Sequence, residues 1–310
     1  MRPPSDGGMN MTKQTKAYLA LLFICIVWGT TYLAIRVGVL HYPPFLFAGV
    51  RQVVAGLVLI LVGLLRDKNT GLTRQAVVRQ MIMGFLMLTI GNGGVTWGEK
   101  YIPSGIAALL CSLMPMFAVL FGLLSAGREK LNAGIVGGMV LGFAGVGLIF
   151  RQNFAEMSDP RYLGGMAVTL LATASWAFGS TLNKKHGKAS NALFNSGMQL
   201  MFGGLFMLMV SPVADDFSGF NLWDADGVAA LVYLIIFGSV LAYAAYMYVL
   251  DVLPVGVATI YAYVNPLIAV LAGSMFLDEQ LNIYIVLAFV AIAVSVFLVN
   301  RGYKKLREAN

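Results

Sequence analysis

Residues 103–122 read PSGIAALLCSLMPMFAVLFG, and residues 254–273 read PVGVATIYAYVNPLIAVLAG. The second stretch lies 151 residues after the first. Pro103, Gly105, Ala107, Pro115, Ala118, Val119, Leu120 and Gly122 recur in it as Pro254, Gly256, Ala258, Pro266, Ala269, Val270, Leu271 and Gly273. One residue then drops out of the register, and Glu129, Leu131 and Asn132 recur as Glu279, Leu281 and Asn282. Upstream, a shift of 148 sets Trp28 on Trp176, Arg51 on Gln199 and Gly56 on Gly204, with Arg36 beside Lys184. The chain reads as two copies of one unit.

Each copy is built of apolar runs. A bilayer core about 30 Å thick needs roughly 20 apolar residues per helix. Ten stretches qualify: 17–37, 44–65, 77–98, 104–125, 131–151, 162–183, 191–211, 227–250, 255–276 and 281–301. Five per copy is an odd number, so the second copy enters the membrane from the opposite side, and a pseudo-twofold axis in the membrane plane relates the two. The expected fold is an all-α integral membrane protein of ten transmembrane helices in two inverted five-helix repeats. The repeats are placed at 17–151 and 162–301. They are flanked by a disordered cytoplasmic tail, 1–16, and a second cytoplasmic tail, 302–310.

Composition agrees with this reading. The 310 residues are 59% hydrophobic and 11% charged, against about 45–50% and about 25% in soluble domains, which excludes a soluble globule. The first apolar run exceeds the roughly 7–15 residues of a signal-peptide core. Lys and Arg outnumber Asp and Glu by 21 to 14, a net charge of +7. With the N-terminus inside, sixteen of these cations fall on the cytoplasmic side and four on the other, leaving Arg51 within the second segment. The positive-inside rule therefore explains the surplus and puts both termini in the cytoplasm; no nucleic-acid partner is needed. Cys25 and Cys111 lie in apolar runs and offer neither a disulfide framework nor a metal site.

Several motifs resemble the EamA-type branch of the drug/metabolite transporter superfamily. They are Trp28-Gly-Thr-Thr-Tyr32, Arg51, the run from Tyr101 to Leu110, Pro115 and Gly127-Arg-Glu-Lys-Leu131. Pro254 through Asn265-Pro266 to Asp278-Glu-Gln-Leu281 resembles the same pattern. The resemblance covers residues 17–301. It implies an inner-membrane carrier of small metabolites or drugs, commonly outward, with a central cavity lined by the first, third, fourth, sixth, eighth and ninth helices. It departs from the small multidrug relatives at one point: the first segment has no carboxylate, so proton exchange through a glutamate there is not expected.

Charged groups at membrane depth are costly and by default functional. Arg51 or Arg36 is read as receiving a substrate carboxylate and Glu99 an ammonium or a proton. The competing reading is that the three pair with one another or snorkel outward. The cavity is assigned Trp28, Thr31, Asn92, Trp97, Ser112, Trp176, Ser180, Tyr243, Tyr261 and Asn265. Tyr261 and Asn265 are four apart, and Tyr243 and Tyr246 three apart, so each pair shares a helix face. Tyr246 and Tyr248 are read as interfacial belt residues. Pro115 and Pro266, matched near the midplane, each remove a backbone hydrogen bond and free a carbonyl, which makes them hinges or cavity groups. Gly91 and Gly94 are read as gating positions, with close packing as the competing role; Gly134, Gly138 and Gly142 are assigned to packing.

No phosphate loop is present, and two lone histidines provide no embedded catalytic cluster. No enzyme activity, catalytic residue, metal or cofactor is expected. The expected partners are a small-molecule substrate and the lipid bilayer, with the chain a monomer or homodimer. The function expected is secondary transport by alternating access, foremost export of amino acids or related compounds. The alternatives are a multidrug or organic-cation exporter, and a non-transporting sensor or lipid-handling component on the same fold.

Overall fold

A computed structural model describes residues 12–114, 116–117, 120–121, 132–152, 159–185, 191–253 and 261–308. Every regular element among them is helical. In chain order they are α1 (Lys13–His41), α2 (Pro44–Arg66), α3 (Arg74–Met83), a π-helical segment π1 (Gly84–Asn92) and α4 (Gly93–Glu99). Next come α5 (Ser104–Cys111), α6 (Ala133–Gln152), α7 (Pro160–Lys185), α8 (Ala192–Ala214) and α9 (Ala225–Tyr233). A second π segment, π2 (Leu234–Leu241), leads into α10 (Ala242–Val252), then α11 (Tyr261–Phe276) and α12 (Ile283–Glu308). Helices over Lys13–His41, Pro44–Arg66, Arg74–Gly98, Pro160–Leu182, Ala192–Ala214 and Ala225–Tyr246 are long and apolar enough to cross a membrane. They coincide with six of the ten predicted segments. The other four are helical over α5, α6, α11 and α12.

Local sequence sets the helix ends. The Thr12 side chain caps α1 by accepting from Thr15 N–H at 3.2 Å. At the far end Tyr42 is extended, and the Pro43-Pro44 pair that follows starts α2, where a missing N–H costs nothing. The first free amides of α2, at Phe45 and Leu46, donate to the Asp215 carboxylate at 3.1 and 2.8 Å. Asn191 caps α8 through Phe194 N–H while its own amide donates to the Gly63 and Asp67 carbonyls at 2.9 and 2.8 Å. One residue thereby closes both the end of α2 and the start of α8. Glu279 does similar work at α5, accepting from Ser104 N, Ser104 Oγ and Gly105 N at 2.8, 3.0 and 3.3 Å.

The tightest packing is backbone on backbone. A Cβ on Gly56 would come 2.5 Å from Met201 N, one on Gly197 2.6 Å from Ile60 N, and one on Gly204 2.7 Å from Val53 N. Glycines seven apart thus form a seam where α2 and α8 touch main chain to main chain, as small residues do where lipid supplies no hydrophobic drive. Gly138 meets the Ser295 carbonyl of α12 in the same way, and Gly142 packs under the Ser295 and Met116 side chains, in keeping with the packing role read from their spacing. Leu57, Leu61, Leu65, Leu171, Val213 and Phe297 lie exposed on outward faces, as expected of helices that face lipid.

Candidate functional site

The irregular helices and their neighbours enclose a cavity with about 980 Å³ of atom-free space, part of it open to the outside. Its walls are helical stripes. Trp28, Thr31, Tyr32 and Ile35 come from α1, and Leu88, Gly91, Asn92 and Val95 from π1 and α4; both sets step i, i+3, i+4, i+7. Other elements supply Arg51 and Gln52 (α2), Ala108, Cys111 and Ser112 (α5 and its end), Ala172, Thr173 and Trp176 (α7) and Leu200 (α8). Gly238, Ser239 and Tyr243 enter from π2 and α10, and Tyr261, Asn265 and Pro266 from α11.

Polar groups on the wall form chains. Arg51 Nε donates to Ser239 Oγ at 2.9 Å, Ser239 Oγ to Gln52 Oε1 at 3.5 Å, and Gln52 Nε2 to Asn92 Oδ1 at 2.9 Å. Gln199, at the position matching Arg51, accepts from Tyr243 OH at 3.2 Å and donates to Gln80 at 2.7 Å. The Thr31, Ser112 and Thr173 hydroxyls donate to carbonyls of their own helices at 2.6–2.8 Å, so toward a solute they offer lone pairs. With its amide oriented to suit the network, Asn265 donates to the Cys25 and Tyr261 carbonyls at 3.1 and 2.9 Å, joining α1 to α11.

Trp28, Tyr246 and Tyr261 pack in a ring cluster with centroids 4.9–5.8 Å apart. Tyr246 therefore belongs to this cluster and not to an interfacial belt; Tyr248, on another face, donates to the Lys13 carbonyl at 3.3 Å. Trp28 Nε1 also donates to the Gly238 carbonyl of π2 at 3.1 Å. On the other side Ser175 Oγ donates to the Leu86 carbonyl of π1 at 2.7 Å. Each widened segment thus has a carbonyl satisfied by a side chain from a neighbouring helix, the condition for irregular backbone at membrane depth.

Several expected residues lie elsewhere. Trp97 packs against Tyr101, the rings tilted with centroids 4.8 Å apart, and does not reach the cavity. Ser180 stands one turn beyond Trp176, past the end of the wall. Gly94 packs α4 on α7, a Cβ there meeting Ala172 Cβ at 3.0 Å, and Gly91 gives Trp176 room at 3.1 Å; both serve close approach, and the departure from α geometry belongs to π1. Pro266 lies on the wall within α11, whereas Pro115 lies outside the described residues. The expected charge pair does not form. Arg36 donates to the backbone carbonyl of Glu99, at the negative end of α4, and Arg51 to Ser239. The Glu99 carboxylate is fully buried, with no hydrogen-bond partner among the described residues. The ion pair that is seen joins His41 Nδ1 to Asp224 Oδ1 at 3.0 Å.

Sequence reading missed Gln52, Ser239, Tyr32 and Thr173. Two of these carried a signal: Tyr32 is four residues from Trp28 and Thr173 three from Trp176, on faces already singled out. Ser239 carried none, because its role depends on which helix Arg51 meets.

The profile of the EamA-like transporter family matches residues 15–151 and again 163–301. This chain belongs to that family. Among EamA-like relatives, the Escherichia coli (strain K12) protein named "Uncharacterized inner membrane transporter YedA" is 33% identical over 284 residues, 91% of this chain and 90% of that one. The Bacillus subtilis (strain 168) protein named "Uncharacterized transporter YvbV" is 27% identical over 97% of both chains. Protein PecM of Dickeya dadantii (strain 3937) is 28% identical over 83% of this chain and 82% of its own. A crystal structure sharing 19% of its sequence matches 91% of this chain and 96% of that one with a TM-score of 0.63, a likeness of fold. The chain is an EamA-like membrane transporter.

Proposed function

We propose that this transporter is a secondary carrier of small organic solutes in the inner membrane, foremost an exporter of amino acids or related metabolites. It works by alternating access between two inverted five-helix repeats with both termini in the cytoplasm. The observation that carries this reading is a cavity walled by both copies of the repeat, with the repeat mates Trp28 and Trp176 both on its wall. A site between inverted halves opens to either face through two nearly equivalent arrangements. The test is counterflow in proteoliposomes against a mixed panel of amino acids, nucleobases and organic cations, with and without a pH gradient. A carrier gives saturable exchange of one class. Failure of every solute with correctly inserted protein would overturn the small-solute carrier reading and favour a sensor or lipid-handling role.

A further inference from the structure

Among the described residues that line the cavity, Arg51 is the one that carries a formal charge at neutral pH. It is 5% exposed. Its Nε is fixed on Ser239 Oγ, itself tied to Gln52, so the head group is held in place before any solute arrives. Its Nη1 is buried and has no hydrogen-bond partner among the described residues. No carboxylate among the described residues forms an ion pair with it; Glu99 is near enough for its charge to bear on Arg51 but does not reach hydrogen-bonding distance. The Gly238 main chain passes close beside the head group, where no larger residue fits without displacing a neighbour. A Cβ on Gly238 would stand 3.3 Å from Arg51 Nη2 and 2.9 Å from Thr31 Cγ2.

A buried cation with an unused donor is unfavourable until an anion meets it. A carboxylate suits the guanidinium fork, accepting through two oxygens in charge-assisted bonds. A cationic solute would instead bring a second positive charge into a poorly solvated space. Trp28, Tyr32, Trp176 and Tyr261 add aromatic surface to the same cavity wall.

We propose that Arg51 is the docking point for the carboxylate of the transported solute, so that the substrate class is carboxylates borne on a compact apolar or aromatic body. This rests on the carrier reading above and narrows it.

The test uses purified full-length protein in lipid nanodiscs and three matched pairs of probes: phenylalanine and phenylalaninamide, leucine and leucinamide, 3-phenylpropionate and 3-phenylpropanamide. Binding is followed by thermal melting and tryptophan fluorescence. At least one acid is expected to bind the native protein about tenfold or more tighter than its amide, as a charge-assisted pair should. In Arg51→Gln, which copies the residue at the matched position 199, the preference falls to within about twofold; in Arg51→Lys it is intermediate. Solute-free Arg51→Gln is expected to melt no lower than the native protein, because an unpaired buried charge has gone. Equal binding of acids and amides by the native protein overturns the proposal, and so does an acid preference that survives in Arg51→Gln. If Arg51→Gln does not fold, an unchanged preference in Arg51→Lys overturns it. If none of the acids binds while the counterflow panel yields exchange of another class, the carboxylate assignment falls and the carrier stands. If nothing exchanges, the carrier reading itself falls.

Discussion

The two π-helical segments invite comparison, because π2 begins 150 residues after π1 and both border the cavity. Their backbones solve one problem in one way: the widened turn presents a carbonyl, Leu86 in π1 and Gly238 in π2, to a side chain from α7 or α1. Their side chains diverge. Where π1 has Leu88, 1% exposed, π2 has Gly238, whose bare backbone lets Arg51 and Thr31 approach closely. The next residue is a hydroxyl in both. Thr89 donates to the Gly203 carbonyl, a packing bond, whereas Ser239 accepts from Arg51. The same irregularity thus braces the bundle on one side and opens a charged recess on the other. Backbone form sets where a site can be; the side chain at one position sets whether it is filled.

Substituting Gly238→Leu, which copies π1 into π2, should break the contrast most severely. The added side chain occupies the space between Thr31 and Arg51, so solute exchange in proteoliposomes should fall by about fiftyfold or more with the helical circular dichroism retained. Trp28→Phe keeps an aromatic ring but withdraws the indole donor. It leaves the Gly238 carbonyl unpaired at a cost of about 2 kcal/mol. Thermal melting should show this as a drop of roughly 4–8 °C. Ser175→Ala does the same to the Leu86 carbonyl for about 1 kcal/mol, a smaller shift in the same assay; a larger loss than Trp28→Phe would reverse that order. Ser239→Ala releases Arg51 from its anchor without removing the charge. Binding of a carboxylate probe should weaken about threefold, while Thr89→Ala should leave that affinity unchanged and lower only stability.

Much of the bundle was legible from residue type alone. The apolar runs located the helices; their starts, set by Pro43-Pro44, Thr12, Thr73 and Asn191 through donors they lack or acceptors they offer within one turn, were not singled out. The π segments were not legible. Gly84–Asn92 contains no proline, and its apolar sequence suits either helical period; the partners that stabilise the wide turn, Ser175 and Trp28, lie far along the chain. The site divides in the same way. Trp28, Trp176, Tyr261 and Asn265 were visible as polar or aromatic groups within apolar runs, and all line the cavity. Ser180 was on a contributing face at the wrong height, because spacing gives the face of a helix but not how far along it a neighbour extends; Trp97, two residues from Val95, was on the other face of α4. Tyr246 was misread for the converse reason, its nearness to the helix end outweighing the face it shares with Tyr243.

Where α2 and α8 meet through Gly56, Gly197 and Gly204, main chain faces main chain, with only the stiff branched side chains of Val53 and Ile60 alongside. Sliding one helix past the other would drive Met201, Ile60 or Val53 backbone atoms into facing main chain. The pair therefore behaves as a ruler built into the molecule. Spin labels placed on the lipid-facing sides of α2 and α8 should keep a constant separation, and displacement of any other helix can be measured against that fixed length.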